Sequence, residues 1–297
     1  MNEKRPAIIV LSSHVVRGTV GNRAAAYALE VMGFPVWIVP TVILPWHPGH
    51  GPSERIVPAS AQFDQLINDL ASAQWLNEVG GVLSGYLGNR DQVVAVANLV
   101  TKIKQVNPNA LYTLDPVIGD APQDGEGRLY VSEEQATAMR DFLLPLADMI
   151  TPNPFELGWM SAQSTPKTLD QIHNTANNLD VPTTLATSAP AMMRSKIGNL
   201  LVQKMDGKTT AHLCEHPFAK GPPNGLGDLA AALMMGNLFQ SKNPVLALQQ
   251  TSASLFEVMM IASRARSDEL LLEASISSIL NPRTKINASL LMQRKPT

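Results

Sequence analysis

Five consecutive residues, Asn224-Gly225-Leu226-Gly227-Asp228, run straight into the apolar stretch Leu229-Ala230-Ala231-Ala232-Leu233. Glycines in such a turn permit positive φ and close approach of a ligand to the backbone. Free amides at the start of the following helix, with the positive end of its dipole, suit an anion. An acidic side chain beside that anion is poorly suited to touching phosphate. It is well suited to taking a proton from a hydroxyl that attacks phosphorus. Taken alone, the turn reads more simply as a loop whose Asp228 caps the helix.

The same letters satisfy the G-x-G-x-x-A pattern of dinucleotide sites, which should follow a strand and precede an acidic residue by about 20 positions. Here Lys220-Gly221-Pro222-Pro223 leads in and Lys242 to Thr251 holds no carboxylate, so a nicotinamide site is a weak match. No G-x-x-x-x-G-K-[ST] occurs, which excludes a P-loop enzyme.

Two acidic clusters gain meaning beside the turn. Asp115-Pro116-Val117-Ile118-Gly119-Asp120 sets two carboxylates around a tight bend, and Thr151-Pro152-Asn153-Pro154-Phe155-Glu156 adds a third near a helix start. Carboxylates and water suit Mg²⁺, which also binds through substrate phosphates. Each cluster alone reads as turn or cap chemistry. Their coincidence in one chain favours a shared site. His47-Pro48-Gly49-His50 has metal-like spacing but sits in a loop with no third ligand in reach. His212, Cys214 and His216 share one face of a strand, a geometry for a soft metal. They lack an evident fourth ligand and read better as a solvated strand edge. The methionine pairs at 234–235 and 259–260 read as core.

Short apolar runs alternate with amphipathic ones. Strands are expected at Ala7–Leu11, Val36–Val39, Gly81–Leu83, Leu111–Leu114, Met149–Ile150, Thr183–Ala186 and Leu200–Val202. Helices are expected at Asn22–Met32, Ala61–Asn77, Gln92–Gln105, after the Ser132 cap, at Gly227–Phe239 and at Val245–Ala265. Alternation of this kind gives an α/β fold with a mostly parallel sheet and helices on both faces. Pro40 to Pro58 reads as a long loop at a strand end. Ligands of such sheets bind beyond the carboxyl ends of the strands. Ser12-Ser13-His14, the two acidic clusters and Thr187-Ser188 all follow expected strands.

The chain has 297 residues, 45% of them hydrophobic and 16% charged, with a formal net charge of −2. That balance argues against a nucleic-acid partner. Its one cysteine excludes an internal disulfide framework and fits a reducing cytoplasm. Uninterrupted apolar stretches fall short of the roughly 20 residues of a membrane span, and the N-terminus does not resemble a secretory signal. A soluble cytoplasmic protein without membrane or nucleic-acid partners is expected. The charged fraction lies below the roughly 25% usual for globular proteins, which suggests a surface covered by a second subunit.

Ser13-His14-Val15-Val16-Arg17-Gly18 with Val20-Gly21-Asn22-Arg23-Ala24-Ala25 resembles the N-terminal motif of pyridoxal (vitamin B6) kinases, in the ribokinase-like superfamily. Gly85-Tyr86-Leu87-Gly88, Asp115 to Asp120, Asp124-Gly125-Glu126-Gly127, Thr151 to Glu156, Thr187-Ser188 and Gly225 to Asp228 continue the likeness in family order. The resemblance implies one ribokinase-like kinase domain over 1–297, a three-layer α/β/α sandwich, usually a homodimer. It implies ATP-dependent phosphorylation of the 5′-hydroxymethyl group of pyridoxal, pyridoxine or pyridoxamine. Asp228 is then the catalytic base, with the amides of Gly225, Leu226 and Gly227 stabilising charge on the transferring group. Asp115, Asp120, Thr151 and Glu156 would organise Mg²⁺ and a monovalent cation, K⁺ or Na⁺. Asn153, Thr187 and Ser188 would line the ATP phosphates, with Asp115, Glu156, Gly225 and Gly227 beside them. Ser13, Leu44, Trp46, His47 and Tyr86 would surround the B6 ring, and Asp120 to Tyr130 would be a flap over ATP.

Two positions depart from the family pattern. Pro45-Trp46-His47-Pro48 replaces a polar stretch and removes a hydroxyl at Pro48, while Leu226 replaces a common Thr and leaves the backbone amides intact. Two other readings therefore stay open. One is a kinase of the same fold acting on hydroxymethylpyrimidine or another small alcohol. The other is a B6-binding regulator without turnover.

Overall fold

In the computed structural model, residues 5–121, 127–205 and 207–294 are described. The first half builds β1 (Ala7–Val15), α1 (Asn22–Val31), β2 (Val36–Leu44), α2 (Ser60–Ala71), β3 (Val79–Ser84), α3 (Arg90–Val106) and β4 (Leu111–Leu114). A small hairpin of β5 (Gly119–Asp120) and β6 (Arg128–Leu129) follows, then α4 (Glu133–Ala138), β7 (Met149–Ile150), α5 (Pro154–Met160) and α6 (Leu169–Asn178). The remainder forms β8 (Thr183–Pro190), β9 (Lys196–Met205), β10 (Lys208–Pro217), α7 (Leu226–Ser241), α8 (Pro244–Ala265), α9 (Ile276–Leu280) and β11 (Ser289–Arg294).

The large sheet runs β11-β10-β9-β8-β7-β4-β3-β1-β2. Its pairings are parallel from β8 to β2 and antiparallel from β8 to β11. Strand alternation feeds two cores. Ile9 and Leu11 pack with Phe63, Ile67, Val96 and Leu157 on one face. Ile8 and Val10 pack with Ala28, Leu29, Leu233 and Val258 on the other. Successive side chains on a strand point to opposite faces, so β1 must be apolar throughout to bury both. The expected α/β/α sandwich follows.

Several boundaries differ from the sequence reading. β1 continues through Ser12, Ser13 and His14, so this cluster lies within the strand and not after it. β2 likewise takes the first five residues of the expected Pro40–Pro58 loop. The helix expected to reach Asn77 ends at Ala71, with a 3-10 turn at Leu76–Glu78. β10 is paired on both sides, by β9 and β11, and so is not a sheet edge. α8 is long and apolar enough to cross a bilayer, yet 56% of that apolar window is buried, and its Leu248, Leu255 and Val258 belong to the second core.

Candidate active site

The turn from Gly225 to Asp228, expected to meet phosphate, is built around Gly225, the residue preceding α7, whose φ is +98°. A Cβ there would lie 2.1 Å from the Thr19 carbonyl oxygen, so only glycine fits both the conformation and the space. Gly227 differs: a Cβ there meets nothing within 4 Å, leaving its edge of the turn open for a ligand. Asp228 is the third residue of α7, and the N-cap position belongs to Gly225. Its carboxylate accepts hydrogen bonds from the Gly21 amide and its own amide. Burial pushes the carboxyl up to about 6, against the pull of those two donors.

Gly21 joins two halves of the site. It precedes α1 with φ 56° and ψ −133°, and a Cβ would sit 2.5 Å from Ser13 Oγ. Asn22 fixes this turn by donating from Nδ2 to Ser12 O at 2.7 Å and Val39 O at 3.1 Å. Gly85 closes the third side, since its Cβ would lie 3.8 Å from Asp228 Oδ1.

The acidic clusters do converge. Thr151 Oγ1 donates to Asp115 Oδ1 at 2.9 Å. Burial raises the Asp115 carboxyl well above its usual range, and the nearby Glu156 and Asp228 charges push the same way. Glu156 Oε1 accepts from Ile118 N and Oε2 from Asn153 N, both at 3.0 Å. Burial still lifts it to about 7. Asn153 completes a capping box on α5 and donates from Nδ2 to Gly119 O at 2.9 Å. Its side chain thus holds the loop in place. Asp120 is exposed at the hairpin, and its charge contributes to raising the Tyr130 hydroxyl to about 12, after burial. Of the expected flap, residues 122–126, including Asp124 to Glu126 of the quoted motif, lie outside the described residues.

Buried carboxylates held up by one another suit a cation, because a positive charge relieves both burial and repulsion. Among the described residues, no three His, Cys, Asp or Glu side chains form a cage of their own. That fits Mg²⁺ held by one or two carboxylates, water and substrate phosphates. Of the strand-borne trio His212, Cys214 and His216, Cys214 is fully buried in the core.

Further along the sheet, β8 breaks register between Ala186 and Ala189, and Ser188 takes φ +52°. Thr187 N donates to Pro152 O at 2.9 Å, placing this bulge against the start of the second acidic cluster. A cavity of about 370 Å³ lies along the segment leading into the turn, walled by Lys220, Pro222, Met259 and Arg266.

On the other side, Leu44 and Tyr86 join Val15, Val20 and Val42 in one apolar patch. His47 Nδ1 accepts from Gly49 N at 3.0 Å, and burial lowers its pKa. Trp46 stays more than one-third exposed and donates from its indole to Gly51 O at 3.2 Å. The sequence reading missed Arg55, which donates to Tyr86 Oη at 3.1 Å and lies 5.7 Å from its ring centroid. It also missed Gly21 as the partner of Asp228; the letters Val20-Gly21-Asn22 were the available signal.

Residues 60–265 match a family profile described as phosphomethylpyrimidine kinase. A pyridoxal kinase PdxY of Corynebacterium diphtheriae is 34% identical over 282 residues, 93% of this chain and 96% of that one. A pyridoxal kinase PdxY of Leifsonia xyli is 30% identical, covering 95% and 98%. A pyridoxal kinase from Leishmania donovani, solved with ADP and pyridoxamine, superposes with TM-score 0.88 at 29% identity over 98% and 100% of the two chains. At 34% identity over 93% of its length to one such enzyme, the chain belongs to the pyridoxal kinase family, and it shares that family's ribokinase-like fold at TM-score 0.88.

Proposed function

We propose that this protein transfers the γ-phosphoryl group of ATP to the 5′-hydroxymethyl group of pyridoxal, pyridoxine or pyridoxamine. The observation that carries this reading is the raised carboxyl of Asp228 beside the open edge of Gly227. Asp228 takes the proton of the acceptor hydroxyl as its oxygen bonds to the γ-phosphorus and the bond to the ADP oxygen breaks. The amides of Gly225, Leu226 and Gly227 face the charge that builds on the phosphoryl oxygens.

Asp115, Asp120, Thr151 and Glu156 would hold Mg²⁺ and a monovalent cation, directly or through water. Mg²⁺ bound there would supply positive charge against that of the phosphates. Thr187 and Ser188 face the phosphates at the β8 bulge, with Asn153 at their border. The cavity beside Lys220 and Met259 takes the nucleotide base. Ser13, Tyr86, Leu44, Trp46 and His47 surround the acceptor ring, and the segment from Asp120 to Tyr130 excludes water.

The whole chain acts as one kinase domain; a sheet that uses strands from both ends of the chain supports this. A homodimer is supported by exposed Val16, Ile38, Ile43 and Ile56, within or beside the edge strand β2. The lone buried thiol of Cys214 suits the cytoplasm.

The description of the matching profile favours one second reading, the same transfer onto a hydroxymethylpyrimidine. ADP release should be measured with Mg²⁺, ATP and each B6 vitamer or hydroxymethylpyrimidine separately. Turnover on a vitamer supports the proposal. Turnover on the pyrimidine alone replaces the acceptor, and binding without turnover makes the protein a sensor.

A further inference from the structure

We propose that Glu269 is a positioning residue that clasps the acceptor loop, residues 45–51, to the phosphate turn. The inference rests on the assignment of that loop to the acceptor side. Glu269 is 8% exposed and lies in the segment after α8, far from every motif of the site. Its Oε1 accepts from His50 Nε2 at 2.8 Å and from Arg17 at 3.3 Å. Its Oε2 accepts from the Thr19 amide at 3.1 Å and from Thr19 Oγ1 at 3.3 Å.

These partners belong to separate parts of the site. His50 ends the 3-10 turn Pro48–His50 that His47 caps. Thr19 presents its carbonyl to Gly225, within the space a Cβ would need. The next residue, Leu270, donates to Thr19 Oγ1 at 3.0 Å and comes within 3.3 Å of the same Gly225 position. One side chain therefore ties the acceptor loop to the backbone that shapes the phosphate turn. Gly18, at φ +112°, makes room for it, because a Cβ there would lie 2.7 Å from Glu269 Oε1.

Both carboxylate oxygens accept, from the His50 ring, Arg17, the Thr19 amide and the Thr19 hydroxyl, whose one proton is shared with Leu270 O at 3.1 Å. A glutamine must turn its NH₂ toward one set of those donors and lose it. A buried carboxylate with four donors is costly to assemble unless all four are held in place. Asp268 adds a peripheral contact to Arg17 at 3.1 Å and lies 3.7 Å from His50 Nδ1.

The test is a double-mutant cycle of Glu269→Gln and His50→Gln, with acceptor KM, ATP KM and kcat read separately. Each single variant should raise the acceptor KM about tenfold and leave the ATP KM within about twofold. The double variant should be no worse than the worse single. Additive losses, or equal changes in both KM values, overturn the clasp. Hydrogen exchange at the His50 and Gly51 amides, which donate to His47 O and Pro48 O, gives a readout independent of turnover. It should quicken in Glu269→Gln while the α7 amides keep their rates; unchanged exchange at His50 and Gly51 also overturns the clasp. If the wild-type protein phosphorylates no B6 vitamer, the acceptor reading fails, and the exchange result still decides the clasp.

Discussion

The Gly21 amide donates to the Asp228 carboxylate, so the base is aimed from the turn after β1 as well as from its own helix. Ser13 borders the same glycine, at the 2.5 Å that a Cβ would leave to its Oγ. Under the proposed roles, acceptor contact and proton acceptance would share one backbone position. Gly21→Ala should lower Tm, since it forces a side chain into both the Ser13 contact and a backbone conformation that suits glycine. It should also reduce kcat/KM at least about tenfold by moving the Asp228 carboxylate. Thermal melts and steady-state kinetics check both effects.

Asp228→Asn keeps the shape of the turn and removes the proton acceptor. Turnover should fall by about 10²- to 10⁴-fold while nucleotide affinity changes little. Calorimetric titration with ATP and Mg²⁺ beside an ADP-release assay separates the two. Retained turnover would assign the base elsewhere.

The two glycines of the turn should fail differently. Gly225→Ala meets the Thr19 carbonyl and a φ of +98°, so it should lose stability together with activity. At Gly227 an added Cβ meets nothing within 4 Å, so the Tm of Gly227→Val should fall less than that of Gly225→Ala. Its loss should appear as weakened ATP affinity and turnover, because the new side chain fills ligand space. A Gly227→Val protein with normal kinetics would place the phosphates away from the turn.

The raised Asp228 carboxyl sets the acid limb of the rate profile. Below about pH 6 the group is protonated and cannot accept a proton, so kcat/KM should fall about tenfold per pH unit there. Asp228→Asn should abolish that limb along with most of the rate.

Stability should run the other way with pH. Glu156 has its folded value raised from 4.5 to about 7, and Asp115 moves in the same direction. The unfolded chain gives up these protons first, so their contribution is full below the unfolded value and is lost as pH rises through the folded one. Without nucleotide or divalent cation, Tm should decline from about pH 4.5 toward pH 7. Mg²⁺ with ATP should flatten the decline by compensating the same carboxylates. A Tm that rises steadily over that interval contradicts the account.

The phosphate turn and the acidic clusters were legible because their chemistry is written in adjacent letters. Gly225, Asp228, Asp115 and Glu156 each announce a turn or a charge within a few residues. The extent of β1 was not legible, because Ser12 and Ser13 are polar yet buried. β10 looked like an edge because β11, its second partner, arrives only after α9. Glu269 carries no local signal, since its meaning depends on His50 and Thr19 folding onto it.

That long reach has a consequence for biosynthesis. Thr19 and Glu269 are 250 positions apart, and His50 and Glu269 are 219 apart. Chains emerge from the ribosome N-terminal end first, and contacts so distant in sequence must wait for the later partner. The turn from Gly225 to Asp228 and helix α7 are synthesised before Glu269 is. A nascent or prematurely terminated product ending before Glu269 would carry the base and most of the phosphate-binding backbone, but not the clasp. If the clasp holds the acceptor loop as proposed, the order of synthesis delays it until only the stretch carrying α9 and β11 remains to be added.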